Sequence, residues 1–125
     1  MVIVRMQDGD TAVAQLPKQV DYDNAALVGA LCEDLVGQGC ATLVLDASQV
    51  DYLDSSGISM IIKLWRVLGD RAGTLRVAAL NAHYHQVWRL LGLDSLFPLS
   101  PTVRAALPAR VAGERAGTSE SSGCV

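Results

Sequence analysis

The chain has 125 residues, half of them hydrophobic and 18% charged, which is enough for one domain around one core without metal or disulfide staples. The formal net charge is -3 and no block of Lys or Arg appears, which argues against nucleic acid as a partner. No apolar run approaches the ~18 residues of a membrane span, and the charged N-terminus lacks a signal-peptide layout, so a cytoplasmic protein without a membrane partner is expected.

Val2-Ile3-Val4 reads as a short strand, Asp8-Gly9-Asp10 as a hairpin turn, and Thr11 to Leu16 as a second strand ended by Pro17. Lys18 to Asp23 is a connection, with Asp23 or Asn24 as a cap for a helix from Ala25 to Val36. In that helix Leu27, Ala30, Leu31 and Leu35 trace the apolar stripe, with Asp34 as its polar exception, and Gly37-Gln38-Gly39 closes it. Thr42 to Asp46 is a strand whose unbroken apolar run suits burial on both faces. A further helix follows and ends near Gly69, then a strand from Leu75 to Leu80. Asn81 caps a helix from Ala82 to Leu91, Leu96 to Leu99 is a short strand, and Thr102 to Leu107 a last helical turn. From Ala109 the composition has little to bury, so residues 108–125 are expected to form a disordered tail behind one domain over residues 1–107. Alternating strands and helices predict an α/β fold with a mixed, mostly parallel sheet and packed helices. Cys32, Cys40 and Cys124 are widely spaced, odd in number and without metal-ligand spacing, and read as free thiols. No metal and no cofactor is expected.

The chemistry concentrates in Leu43 to Gly57, which reads as a buried strand, a loop and the start of a helix. Asp54-Ser55-Ser56-Gly57 opens that helix, where backbone amides lack intrahelical partners and the helix dipole is positive. With Ser55 as the cap, the hydroxyl of Ser56 at the first helical position is outward and free; Asp54 is the other candidate cap. Asp46, Asp51 and Asp54 make the surrounding loop acidic. In the helix, Ile58, Ile61, Ile62, Trp65 and Leu68 make a core face, and Met60, Leu64 and Val67 a second stripe offset by ~100°. That stripe reads either as the edge of a wide buried face or as a docking surface beside the serines. Burial is expected for Val44, Leu45, Ile58, Ile61, Trp65, Val77 and Leu90. His83 and His85 stand at i, i+2 and cannot share a ligand, so with Tyr84 they read as ordinary helix surface.

Leu43 to Gly57, Leu75 to Leu80, and Val87-Trp88-Arg89-Leu90-Leu91-Gly92-Leu93-Asp94-Ser95-Leu96-Phe97 together resemble a STAS domain of the anti-sigma factor antagonist type. The resemblance spans roughly Val2 to Leu107 and is most specific in Asp46-x-Ser48-x-Val50-x-x-Leu53-Asp54-Ser55-Ser56-Gly57. It implies a bacterial signalling protein with no catalysis of its own, acting in transcription regulation such as a stress response. Such a phosphoprotein, while unphosphorylated, binds an anti-sigma factor that is also a serine kinase, and frees a sigma factor. Phosphorylation switches it off and a phosphatase resets it. The acceptor of the family corresponds to Ser56, with Ser55 as the alternative, and two further family aspartates correspond to Asp21 and Asp46. The partner surface is expected to include Asp21, Asp46, Asp54, Ser55, Ser56, Gly57, Met60 and Leu64. Lys18, Ser59 and Leu91 depart from residues common in the family and leave the acceptor untouched. Competing readings are a STAS scaffold that is never phosphorylated, a response-regulator receiver phosphorylated on Asp46, and a serine hydrolase using Ser56. The receiver lacks an acidic pair after its first strand and a late Lys-Pro. The hydrolase lacks the first glycine of a nucleophile elbow.

Overall fold

A hairpin opens the fold: β1 (Ile3–Asp8) runs antiparallel to β2 (Thr11–Gln15), with a bulge between Val4 and Met6. The computed structural model describes residues 3–8, 10–96 and 98–107, with side chains from residue 10 onward. The expected tail over 108–125 and the residues Val2, Gly9, Phe97 and Cys124 lie outside them. A two-residue strand β3 (Gln19–Val20) leads into α1 (Ala25–Gly37), and β4 (Thr42–Asp46) follows. Next come a second two-residue strand, β5 (Tyr52–Leu53), α2 (Ser55–Asp70) and β6 (Thr74–Ala78). The described chain ends with α3 (Ala82–Leu90), a 3-10 turn at Leu93–Ser95, β7 (Leu99–Ser100) and α4 (Val103–Ala106). Five strands form one sheet in the order β1-β2-β4-β6-β7, parallel except for the opening pair. β3 and β5 pair in parallel as a separate ribbon. This is the expected mixed, mostly parallel α/β fold.

Central strand β4 is buried on both sides, as its run of apolar residues requires. Leu43 and Leu45 join a large core with Val28, Cys32, Ile61, Leu64, Leu68 and Trp88 from the three long helices. Val44 alternates to the opposite face, where it meets Val13, Ala78 and Ala106 of α4. Arg71, just past α2, donates from Nη1 at 2.7 Å to the Val36 carbonyl near the end of α1, which also accepts from the Gly39 amide at 3.1 Å.

The helix faces differ from those expected. On α1 the buried residues are Ala25, Val28, Gly29, Cys32, Leu35 and Val36, while Leu27 is exposed. On α2 they are Gly57, Met60, Ile61, Leu64 and Leu68, while Ile58, Ile62, Trp65 and Val67 are half-buried. The expected docking stripe therefore lies mainly in the core, and Leu64 is 0% exposed. The cause is the close approach of α1 to α2 at Gly29, where a Cβ would meet Met60 Cγ at 2.9 Å. Leu64 and Leu68 follow Met60 at successive turns. Trp65 thus packs at the edge of the core instead of within it. Leu90, expected inside, is exposed: Trp88 and Tyr84 share the buried stripe of α3, and Leu90 stands ~200° round the helix from Trp88.

Candidate functional site

The N-terminus of α2 is built by Asp54, not by either serine. Asp54 is the N-cap in extended backbone, and its Oδ1 accepts from the amides of Ser56 at 2.8 Å and Gly57 at 3.2 Å. Its backbone carbonyl takes the Ile58 amide. The other carboxylate oxygen, Oδ2, accepts from the amide of Tyr22 at 3.1 Å, which ties the turn to the loop before α1. Ser55 and Ser56 are thus the first two helical residues, and among the described residues neither hydroxyl is committed to a hydrogen bond. Ser55 is exposed and Ser56 half-buried.

The ribbon of β3 and β5 fixes this turn from below. Asp54 donates its amide to the Val20 carbonyl at 3.2 Å. Gly57 lies so close that a Cβ would come within 2.6 Å of Leu53 Cδ1 and 2.8 Å of the Val20 carbonyl oxygen. Only glycine leaves room for that approach. From behind, the Tyr84 hydroxyl accepts from the Leu53 amide at 3.0 Å, and Asn81 Nδ2 donates to the Val50 carbonyl at 3.2 Å. Asn81 also caps α3 through the Tyr84 amide, so the start of α3 braces the ribbon.

In front of the turn, α1 and α2 enclose a groove of about 500 Å³. Ser56, Ser59, Met60 and Lys63 line one wall; Tyr22 and the small residues of α1, with Glu33, line the other. Lys63 Nζ and Glu33 Oε2 are 3.6 Å apart. A second groove of about 600 Å³, between α3 and β7, is lined by Leu80, His85 and Arg89 among others and by none of the candidate residues.

Residues 2–106 match the model of the STAS domain. The chain belongs to the STAS domain family. It is 29% identical over 97 residues to BtrV of Bordetella bronchiseptica, provisionally named an anti-sigma factor antagonist, covering 78% of this chain and 84% of that protein. The anti-sigma F factor antagonist of Paenibacillus polymyxa is 23% identical over 90 residues, covering 71% and 74%. Among solved structures, an anti-sigma factor antagonist from Mycobacterium paratuberculosis superposes with a TM-score of 0.75 at 27% identity, covering 85% of this chain and 89% of that one.

Within this STAS domain the expected site residues divide into three groups. Asp54, Ser55, Ser56 and Gly57 form the turn, and Met60 lines the adjacent groove. Asp21 is close by in the loop before α1, where its Oδ1 accepts from the Asp23 amide and its carbonyl from Asn24 and Ala25. Asp46 is buried, and its Oδ1 accepts from the Ser48 amide at 3.0 Å, so it shapes its own turn instead of facing outward. Leu64 belongs to the core and is unavailable as a contact residue. Asp51 is exposed and stands 3.6 Å from Lys18. Asn24 occupies the α1 cap position without capping by its side chain; it accepts from the Asp21 amide and donates to the Gln19 carbonyl.

Tyr84 is a correction. It is buried and hydrogen-bonded to the site, not ordinary helix surface, while His83 and His85 are exposed as expected. Tyr22, Glu33 and Lys63 line the groove together with Ser56; spacing along the chain does not reveal Tyr22 or Glu33, and the seven-residue interval from Ser56 was the one available signal for Lys63. Cys32 and Cys40 are buried free thiols. Burial pushes the Cys32 thiol up to about 12 and, as the largest cause, raises that of Cys40. Among the described residues no group of three or more His, Cys, Asp or Glu is placed to hold a metal ion, and no helix is long and apolar enough to cross a membrane.

Proposed function

We propose that this STAS domain is an anti-sigma factor antagonist of the cytoplasm, without catalysis of its own, switched by phosphorylation of Ser56. Unphosphorylated, it binds an anti-sigma factor that is also a serine kinase, through the Asp54–Gly57 turn and the rim of the α1–α2 groove. Binding displaces the sigma factor from that partner. The kinase then transfers the γ-phosphoryl group of ATP to the Ser56 oxygen; ADP leaves, and the serine proton passes to a base on the kinase. The phosphorylated form lets go until a phosphatase removes the phosphate.

The observation that carries this reading is the cap. Asp54 satisfies the amides of Ser56 and Gly57, so no serine hydroxyl is needed to start α2. Ser56 can gain or lose a phosphate without unmaking the helix. A phosphate adds ~1.5 to 2 negative charges, two residues from the Asp54 carboxylate. The names of the relatives support the regulatory role.

The test is phosphotransfer from ATP with the cognate kinase. Ser56→Ala should abolish labelling and Ser55→Ala should retain it. Full labelling of Ser56→Ala would move the acceptor to Ser55, the more exposed of the two. Absence of labelling in every form, with binding retained, would favour the scaffold reading.

A further inference from the structure

We propose that a phosphate on Ser56 is received by Lys63, which leaves Glu33 to meet it, so that phosphorylation opens the ion pair spanning the α1–α2 groove. The inference rests on Ser56 being the phosphorylated residue and concerns what happens within the molecule afterwards.

The helix start itself has little left to offer a phosphate. The amides of Ser56 and Gly57 already donate to Asp54 Oδ1, and that of Ile58 to the Asp54 carbonyl. An anion at a helix N-terminus ordinarily uses these groups. Here it meets them occupied, with a carboxylate beside them, and Asp21 and Asp23 in the neighbouring loop add to the repulsion. The groove side is the way out. Of the described residues lining the groove, Lys63 alone carries a positive charge and Glu33 alone a negative one. The other nearby ion pair, Lys18 with Asp51, lies on the ribbon side and does not line the groove.

Geometry makes the exchange feasible. Seven residues bring Lys63 back to the face of Ser56 within ~20°, about 10 Å further along the axis. Helical side chains lean toward the N-terminus, so the long lysine side chain reaches back over Ser59 toward the phosphate. The existing pair holds Lys63 loosely: the separation is 3.6 Å and the two side chains are 70% and 38% exposed. A phosphoserine offers ~1.5 to 2 charges against the single charge of Glu33. The exchange leaves the Glu33 carboxylate uncovered at the groove rim. The electrostatic change therefore spreads from the turn to the middle of α1, onto the wall facing Ser56.

Protein carrying phosphoserine at position 56, installed during translation, tests this without a kinase. ³¹P NMR gives the second pKa of the phosphate. It should be lower in the parent than in Lys63→Met, by about half a pH unit as expected for an exposed charge pair. Lys63→Arg should keep the low value, and Lys18→Met should leave it unchanged. Glu33→Gln should lower it further in the parent, with a smaller effect in Lys63→Met. Equal values in the parent and Lys63→Met, with both folded, overturn the inference. A kinase that fails to label Ser56 overturns the functional proposal instead, so the two failures are separable.

Discussion

Asp54 uses both carboxylate oxygens on three amides, two in its own helix and one in the loop before α1. Asp54→Ala should lower unfolding free energy by about 2 kcal/mol, the upper range for a lost cap. Asp54→Asn, itself a good cap, should recover most of that; equal losses in urea denaturation would show that the charge, not the cap geometry, matters. Ala72 tests the other end of α2. It sits at φ 58 in the turn where its amide donates to Gly69 and that of Gly73 to Leu68. Left-handed backbone costs a residue with a Cβ roughly 1 kcal/mol, so Ala72→Gly should stabilise by about that much. A lower urea midpoint would refute it. Cys32 gives a pH signature. Its thiol is pushed up to about 12 by burial, above its ordinary value of 9.0. The folded chain then binds more protons than the unfolded one between those values. The stability this contributes is full below pH 9 and is lost as pH rises toward 12. Cys32→Val should flatten that decline relative to the parent.

Much of the fold was legible because single elements carry unambiguous patterns. The apolar run of β4 has one reading, and Asn81 before a helical period gives the start of α3. The Asp-Ser-Ser-Gly turn was legible for the same reason. The centre of the buried face of α2 was not. Apolar residues from Ile58 to Leu68 wrap around much of the helix, and Gly29, on another helix, decides which of them go inward. Strands of two residues, such as β3 and β5, are too short for any period to register. Tyr84 was misread because its partner, the Leu53 amide, is 31 residues away. Two predictions belong to these elements. Gly57→Ala should destabilise the domain by about 2 kcal/mol or more, since the new methyl collides with backbone as well as with Leu53. Leu64→Asp should unfold the domain instead of only weakening a contact, because it puts a carboxylate in the core. A folded, non-binding Leu64→Asp, by circular dichroism, would restore that residue to the docking surface.

At the scale of the molecule, the sheet and helices hold a turn whose capping does not depend on its serines. That arrangement allows a covalent charge to be added at little cost to the fold. Ser56→Ala should therefore leave stability within about 0.5 kcal/mol of the parent, since it keeps the amide that donates to Asp54 and removes only a hydroxyl that caps nothing. Ser56→Asp should weaken partner binding less than phosphate does, having one charge where phosphate brings nearly two. Raised salt should restore part of the loss if repulsion is its cause, since exposed charges are screened over ~8 Å at physiological strength. The most direct measurement is the affinity of the proposed partner, an anti-sigma factor kinase, for two forms of this chain, with serine and with phosphoserine at position 56. The unphosphorylated chain should bind at least about tenfold more tightly, a difference of about 1.4 kcal/mol. Equal affinities would contradict the switch.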